Sequence, residues 1–284
     1  MNKYAIGIDF GTLSVRVLLV NVGNGREEAM SVCEYAHGVM ESHLPCGKVL
    51  PADFALQDPA DYLEGMIMGI RQVLAEKKVL PEEVIGIGVD FTSSTVLPVK
   101  KDKIPLCCLP EFSGEPHAYV KLWKHHGAKK EAQQMDEIAK KRGEDWLSFY
   151  GGKVSSEWMI PKILETLHEA PQVYQEADRF LEALDWIIWY LTDTEICSAC
   201  GAGYKAFHRH DSGYPSVDFF RELDPRLEHV VEEKLNAPLK TVGECAGGLC
   251  IRMANVLGLR PGTPVAAGII DAHASVPGCQ ISEP

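Results

Sequence analysis

The sequence predicts an α/β fold, a mixed sheet flanked by helices and enlarged by a helical insertion. Three observations predict it. The chain opens on three β-like runs with no helix between them. A further apolar run at residues 84–89 (VIGIGV) follows a long amphipathic stretch and stops at Asp90. The last apolar run, residues 264–270 (PVAAGII), follows a largely helical middle and stops at Asp271.

Each element follows from local pattern. Residues 4–8 (YAIGI) read as a strand and 15–22 (VRVLLVNV) as a second, joined by a loop of hairpin length, and a third strand fits within 29–39. Asp58-Pro59-Ala60-Asp61 is a helix start, with early acidic residues. That helix runs to about Lys78 with Tyr62, Met66, Ile70, Val73 and Leu74 on one face. Residues 96–99 and a turn at Lys101-Asp102-Lys103 predict a hairpin. The middle predicts helices at 117–126, 129–142, 157–168, 171–177 and 184–191, the last with Trp186 and Trp189 in the core. Short helices follow at 217–223, 226–235 and 251–257, where Gly258 ends the last. A turn at Pro261-Gly262-Thr263-Pro264 leads into the final strand.

At 284 residues, with 46% hydrophobic and 24% charged residues, the chain has the composition of a globular protein with an adequate core. A net charge of −12 argues against a nucleic-acid partner, which needs clustered Lys and Arg. No apolar stretch reaches the roughly 18 residues a membrane span requires. The opening MNKYAIGIDFGT lacks a signal-peptide layout, so the expectation is a cytoplasmic protein with no membrane partner. Nine cysteines include Cys197-x-x-Cys200 and the pair Cys245 and Cys250. These pairs fit either a zinc site or reduced cytosolic thiols, and the irregular second spacing favours thiols.

The two strand-ending aspartates, Asp9 and Asp271, carry the chemistry. A buried strand that ends on a carboxylate beside small residues puts it at a sheet edge, where a cleft can form. D-F-G-T at Asp9 lacks the upstream lysine and H-R-D of a protein kinase, and Gly86-x-Gly88 lacks the third glycine of a dinucleotide fingerprint. What remains is a strand-turn-strand with Gly11, Thr12 and Ser14 in the turn. It is either an ordinary hairpin or a cradle whose backbone N–H groups hold phosphate oxygens. In the second case Asp9 can hold Mg²⁺ through water.

The opening A-I-G-I-D-F-G-T-x-S-x-R resembles the first phosphate motif of the FGGY family of sugar kinases, within the actin-like ATPase superfamily. G-I-G-V-D-F-T-S-S-T-V at residues 86–96 is similar to the family's second strand and loop, and G-I-I-D-A-H at 268–273 to the segment that carries its catalytic base. P-E-F at 110–112, L-W-K-H-H at 122–126, S-S-E-W at 155–158, C-S-A-C-G-A-G-Y-K-A at 197–206 and F-F-R-E-L-D-P at 219–225 resemble the branch that acts on L-ribulose. The matches keep the family's order along the whole chain.

The resemblance implies an actin-like ATPase (ribonuclease H-like) lobe, residues 1–284, that binds the sugar and supplies one phosphate loop. The adenosine-binding C-terminal lobe has no counterpart here, since the chain ends thirteen residues after Asp271. The implied reaction transfers the γ-phosphoryl of ATP, with Mg²⁺, to the 5-hydroxyl of L-ribulose, as in L-arabinose catabolism. Asp271 becomes the catalytic base. Asp9 is the metal-side carboxylate, Gly11, Thr12, Leu13 and Ser14 face the phosphates, and Arg16 either reaches phosphate or pairs with an acid. Lys205, Ser93, Ser94, Thr95, Val96, Trp123, Glu157 and Asp271 are the sugar candidates. His125, His126 and His273 orient or support. The resemblance also implies that the partner of this chain is the missing lobe, that the chain alone is inactive, and that apolar surface meant for that lobe favours self-association. Kinases of D-ribulose, xylulose or glycerol, an actin-like regulatory nucleotide-binding module, and a stand-alone sugar-binding module are the alternatives.

Overall fold

The structure, a computed structural model, describes residues 2–281. Strands β1 (Tyr4–Phe10), β2 (Ser14–Asn21) and β3 (Glu27–Glu34) form an antiparallel meander. The loop between β1 and β2 is three residues, shorter than predicted, because both strands extend toward it. After β4 (Leu56–Gln57), helix α1 (Pro59–Lys77) starts on the Asp58 side chain, which accepts the Ala60 N–H. The five residues predicted for its apolar face are all buried. Gly65 and Gly69 sit one turn apart on α1, where a Cβ would come within 2.6 Å of Val15 and Val17 on β2. Their missing side chains let the helix lie close on the sheet.

β5 (Val84–Phe91) runs parallel to β1, and β6 (Val96–Val99) and β7 (Val120–Lys121) follow. Helices α2 (Lys129–Arg142), α3 (Met159–Glu169) and α4 (Pro171–Glu176) belong to the helical insertion, and strand β8 (Arg179–Glu182) leads back into helix α5 (Ala183–Thr192), which packs on the main sheet. Then come β9 (Cys197–Ser198), α6 (Ala199–Lys205), α7 (Val217–Leu223) and α8 (Val230–Lys234). β10 (Leu239–Lys240), β11 (Cys245–Gly248), α9 (Ile251–Leu257), β12 (Pro264–Ala266), β13 (Ile269–Ile270) and α10 (Asp271–Gly278) complete the chain.

The main mixed sheet has the order β11-β12-β5-β1-β2-β3, with β13 also parallel to β5. A second, antiparallel sheet has the order β4-β7-β6-β8. One apolar core joins the main sheet to α1, α5 and α9, and another fills the insertion around α2, α3 and α7. Trp186 and Trp189 lie in the first. No helix among the described residues is long and apolar enough to cross a membrane.

Four predicted elements differ. The helix predicted over 226–235 is a 3₁₀ turn, Pro225–Leu227, followed by the short α8. Residues 117–126 are not a helix but a 3₁₀ turn, Pro116–Ala118, followed by β7. Val120 and Lys121 are needed as sheet partners of β4 and β6, and tertiary pairing overrides the local pattern. The predicted hairpin after residue 99 reduces to a single bridge between Val99 and Pro105, because β6 pairs with β7 and β8 instead. The final strand is broken at Ala267-Gly268 into β12 and β13.

Candidate active site

The parallel register of β1 and β5 sets Asp9 directly beside Asp90, and β13 places Ile269 opposite Asp90, so Asp271 follows at the same sheet edge. Asp9 and Asp90 thus lie side by side on neighbouring strands, and Asp271, just past β13, is near enough for its charge to be felt by Asp90 and to feel that of Asp9. Burial first, then the Asp9 charge and a hydrogen bond to Asp9, push the Asp90 carboxyl up to about 8, and the Asp271 charge adds to the shift. Burial raises Asp271 too, while its own hydrogen bond from the Ala272 N–H (2.6 Å) and the charges of Lys205 and His273 oppose the rise. Asp271 is the first residue of α10, so its carboxylate also sits at the positive end of that helix.

Arg16 points back along β2 and donates to Asp9 Oδ2 at 2.7 Å, which occupies it with a carboxylate rather than leaving it free for phosphate. The turn of Gly11, Thr12 and Leu13 is tight, with the Gly11 N–H on the Ser14 carbonyl at 3.0 Å. Leu13 projects outward and is 62% exposed. Thr12 is held from two sides: Gln57 donates to its carbonyl at 2.8 Å, and the Trp123 indole N–H to its hydroxyl at 3.1 Å. Trp123 is thus a half-open side chain that ties the 122–126 segment to the phosphate-type turn.

Lys205, the last residue of α6, donates to Glu157 Oε2 at 3.3 Å and is close enough to Asp271 to lower its pKa. Beside them opens a cleft of about 430 Å³, lined by Phe149, Tyr150, Trp158, Tyr204, Lys205 and Arg209. His273 links the two helices of the site: its Nδ1 lies 3.0 Å from Cys200 Sγ and its ring packs edge-on against Tyr204.

The loop after β5 is built inward. The Thr92 and Thr95 hydroxyls bond each other at 2.8 Å, and Ser94 takes a left-handed φ of 54°. Ser93 keeps a partly open side chain. Ser94, Thr95 and Val96 do not: their side chains are enclosed, Val96 in the apolar core of the insertion. The loop is expected to offer hydroxyls and backbone groups to a sugar; in this conformation Ser93 is the one of these four side chains left partly open. His125 is fully buried and bonded to Glu165, so it supports the fold rather than the site.

Of the predicted site residues, the structure brings together Asp9, Arg16, Asp271, Lys205 and Glu157, and connects Thr12 to Trp123. Sequence reasoning missed Asp90 as a site residue. The available signal was that it closes a strand as Asp9 does. Asp9 and Asp90 crowd each other until Asp90 is pushed toward protonation, but the oxygens of Asp9, Asp90 and Asp271 do not all lie within 4.8 Å of one another.

The model of the FGGY family of carbohydrate kinases, N-terminal domain, matches residues 4–278. The chain is 51% identical to a ribulokinase of Geobacillus thermodenitrificans over 99% of its own length and 50% of that protein's. It is 50% identical to a ribulokinase of Anoxybacillus flavithermus, again over 99% of this chain and 50% of the relative. Among solved structures, xylulose kinase from Rhodospirillum rubrum superposes with a TM-score of 0.76 at 20% identity, over 99% of this chain and 52% of that one. Gluconate kinase from Lactobacillus acidophilus gives 0.75 at 17% identity, over 97% and 49%. The chain thus spans about half the length of the curated relatives it matches, and its fold is that of the sugar kinases of the actin-like ATPase class.

Proposed function

The chain belongs to the FGGY family of carbohydrate kinases, and from that premise we propose that it forms the sugar-binding half of an ATP-dependent kinase for the 5-hydroxyl of L-ribulose. The observation that carries the proposal is the placement of Asp271 near Asp9 and Asp90 at one sheet edge, beside Lys205 and its cleft. The identity to ribulokinases favours L-ribulose over the other sugars of the family.

Phosphoryl transfer asks the protein mainly for positioning and charge stabilisation. Asp271 accepts the proton of the attacking hydroxyl, and its raised pKa makes it a better base than a free carboxylate. The Lys205 charge opposes that rise, and Lys205 and Glu157 hold sugar hydroxyls. Asp9, with Asp90 beside it, would hold Mg²⁺, whose charge would offset theirs. Backbone N–H groups of Thr12, Leu13 and Ser14 face the phosphates. Mg-ATP supplies the phosphoryl group and neutralises its charge. The adenosine pocket belongs, in this proposal, to the half of the relatives that the chain does not span.

The test is a phosphorylation assay of the 284-residue chain, alone and fused to the unmatched half of the Geobacillus relative, on L-ribulose, D-ribulose, xylulose and glycerol. The expected result is turnover by the fusion alone, fastest with L-ribulose. Turnover by the chain alone refutes the two-half reading, and preference for another sugar refutes the substrate.

A further inference from the structure

Two buried charged residues play no part in the chemistry above and yet both end on the same loop. Lys162 of α3 is fully buried, and its Nζ donates to the carbonyls of Ser94 at 2.6 Å, Leu122 at 2.8 Å and Lys121 at 3.4 Å. Glu182, at the end of β8, is also buried, and its Oε2 accepts the Thr95 N–H at 3.0 Å. One loop of four residues is therefore gripped at a single peptide unit, Ser94–Thr95, by Lys162 on its carbonyl and Glu182 on its N–H.

The loop needs such a grip. Ser94 is left-handed, a conformation that side-chain-bearing residues disfavour and that persists only where its surroundings impose it. The turn also leaves a carbonyl and an N–H buried without a ladder partner, a costly state unless something meets them. An ammonium can satisfy several carbonyls at once, and a carboxylate can accept an N–H, so these two side chains replace the missing strand. Burial lowers the Lys162 pKa and raises that of Glu182, and the charge of each opposes the shift in the other.

The contacts extend from the loop to the Trp123 segment and to α6. Through Leu122, Lys162 fixes the backbone just before Trp123, whose indole holds Thr12 of the phosphate-type turn. Glu182 lies under α6: a Cβ on Gly201 would stand 3.6 Å from its Cγ, and α6 ends in Lys205. A residue whose only task was to fill the core would not need, as Lys162 does, to bond to two separate segments, the loop and the 121–122 stretch.

We propose that Lys162 and Glu182 are positioning residues that preset the Thr92–Thr95 loop for sugar binding and lock it in register with Trp123 and α6. The inference rests on the reading of that loop as part of the sugar site, and the experiment separates the two. L-ribulose affinity is measured by calorimetry on the wild-type chain and on Ser93→Trp, Glu182→Gln and Glu182→Met, with circular dichroism to verify folding. Glu182→Gln keeps an oxygen for the Thr95 N–H and should bind within about twofold of wild type, while Glu182→Met should weaken binding at least tenfold. Equal affinity of Glu182→Met and wild type, or equal loss in both Glu182 variants, overturns the inference alone. No binding by wild type, or no effect of Ser93→Trp, overturns the functional reading and the inference with it. A second measurement needs no variant: in the unliganded wild-type chain the Thr95 amide should exchange hydrogen within about tenfold of the β6 amides. Exchange more than a hundredfold faster means that the loop is not preset and refutes the proposal.

Discussion

Gly268→Ala should damage both stability and the placement of Asp271. A Cβ at Gly268 would lie 2.9 Å from Leu184 Cγ and 3.1 Å from Ile188 Cδ1, and closer still to Leu184 Cδ1. Carbon atoms in contact prefer roughly 3.5–4.0 Å. Leu184 and Ile188 are buried on α5 and have no free space to enter. The Gly268 carbonyl is pinned by the Ser198 hydroxyl at 2.7 Å, so the strand cannot simply lift away. Overpacking of this kind costs about 1–3 kcal/mol. Relief by a shift of β13 moves Asp271, three residues on, and a displacement on the order of 1 Å can cost ~10²-fold in rate. The assay is urea unfolding of Gly268→Ala, Leu184→Ala and the double variant. Leu184→Ala alone should cost about 2–5 kcal/mol through its cavity. In the double variant the new methyl enters that cavity, so its cost should fall short of the sum by at least ~1 kcal/mol. Additivity within about 0.5 kcal/mol would show that the two side chains do not compete for space and would refute the reasoning.

Other consequences can be checked with standard measurements. Glu165 receives the Lys121 ammonium at 2.5 Å and His125 at 2.9 Å with no exposure of its own, so Glu165→Leu should lose about 3–5 kcal/mol in urea unfolding, because it strands a buried charge. Burial holds His125 down to about 4 from an ordinary 6.5, and its hydrogen bond to Glu165 opposes the shift only in part. The unfolded chain therefore takes up this proton first as pH falls below 6.5, and up to about 3 kcal/mol of stability is lost by pH 4. An NMR titration midpoint of His125 near 6.5 would contradict that. Lys205→Met removes the charge that lowers the Asp271 pKa, so in the fused kinase the acid limb of kcat/KM should move to higher pH and L-ribulose KM should rise about tenfold or more.

The legible parts of this site were those written locally. Asp9 and Asp271 stand out because each ends an apolar run, and α1 because Asp58, Pro59 and a buried face of five residues spell out a start and a side. Asp90 ends its strand in the same way, but its place beside Asp9 depends on the parallel register of β1 and β5, which no local pattern states. Helix α6 was not foreseen, since Gly201 and Gly203 lower its helix propensity; Gly201 is small where Glu182 passes beneath. Residues 117–126 look helical in isolation, yet Lys121 and His125 are buried there against Glu165, forty residues further on. Long-range pairing of charged groups, like strand register, is a property of the assembled fold. The Ser94–Val96 segment shows the same limit: its hydroxyl-rich composition suggests an open loop, and the fold turns those side chains inward.

The central claim is that Asp271 is the base of a sugar kinase whose sugar half is this chain. The most direct test is Asp271→Asn in the fused kinase, with kcat measured alongside L-ribulose affinity of the chain. The change removes a proton acceptor and almost no volume, so kcat should fall by about 10²–10⁴-fold while the sugar Kd changes little. A kcat near wild type, with the sugar still bound, would contradict the account.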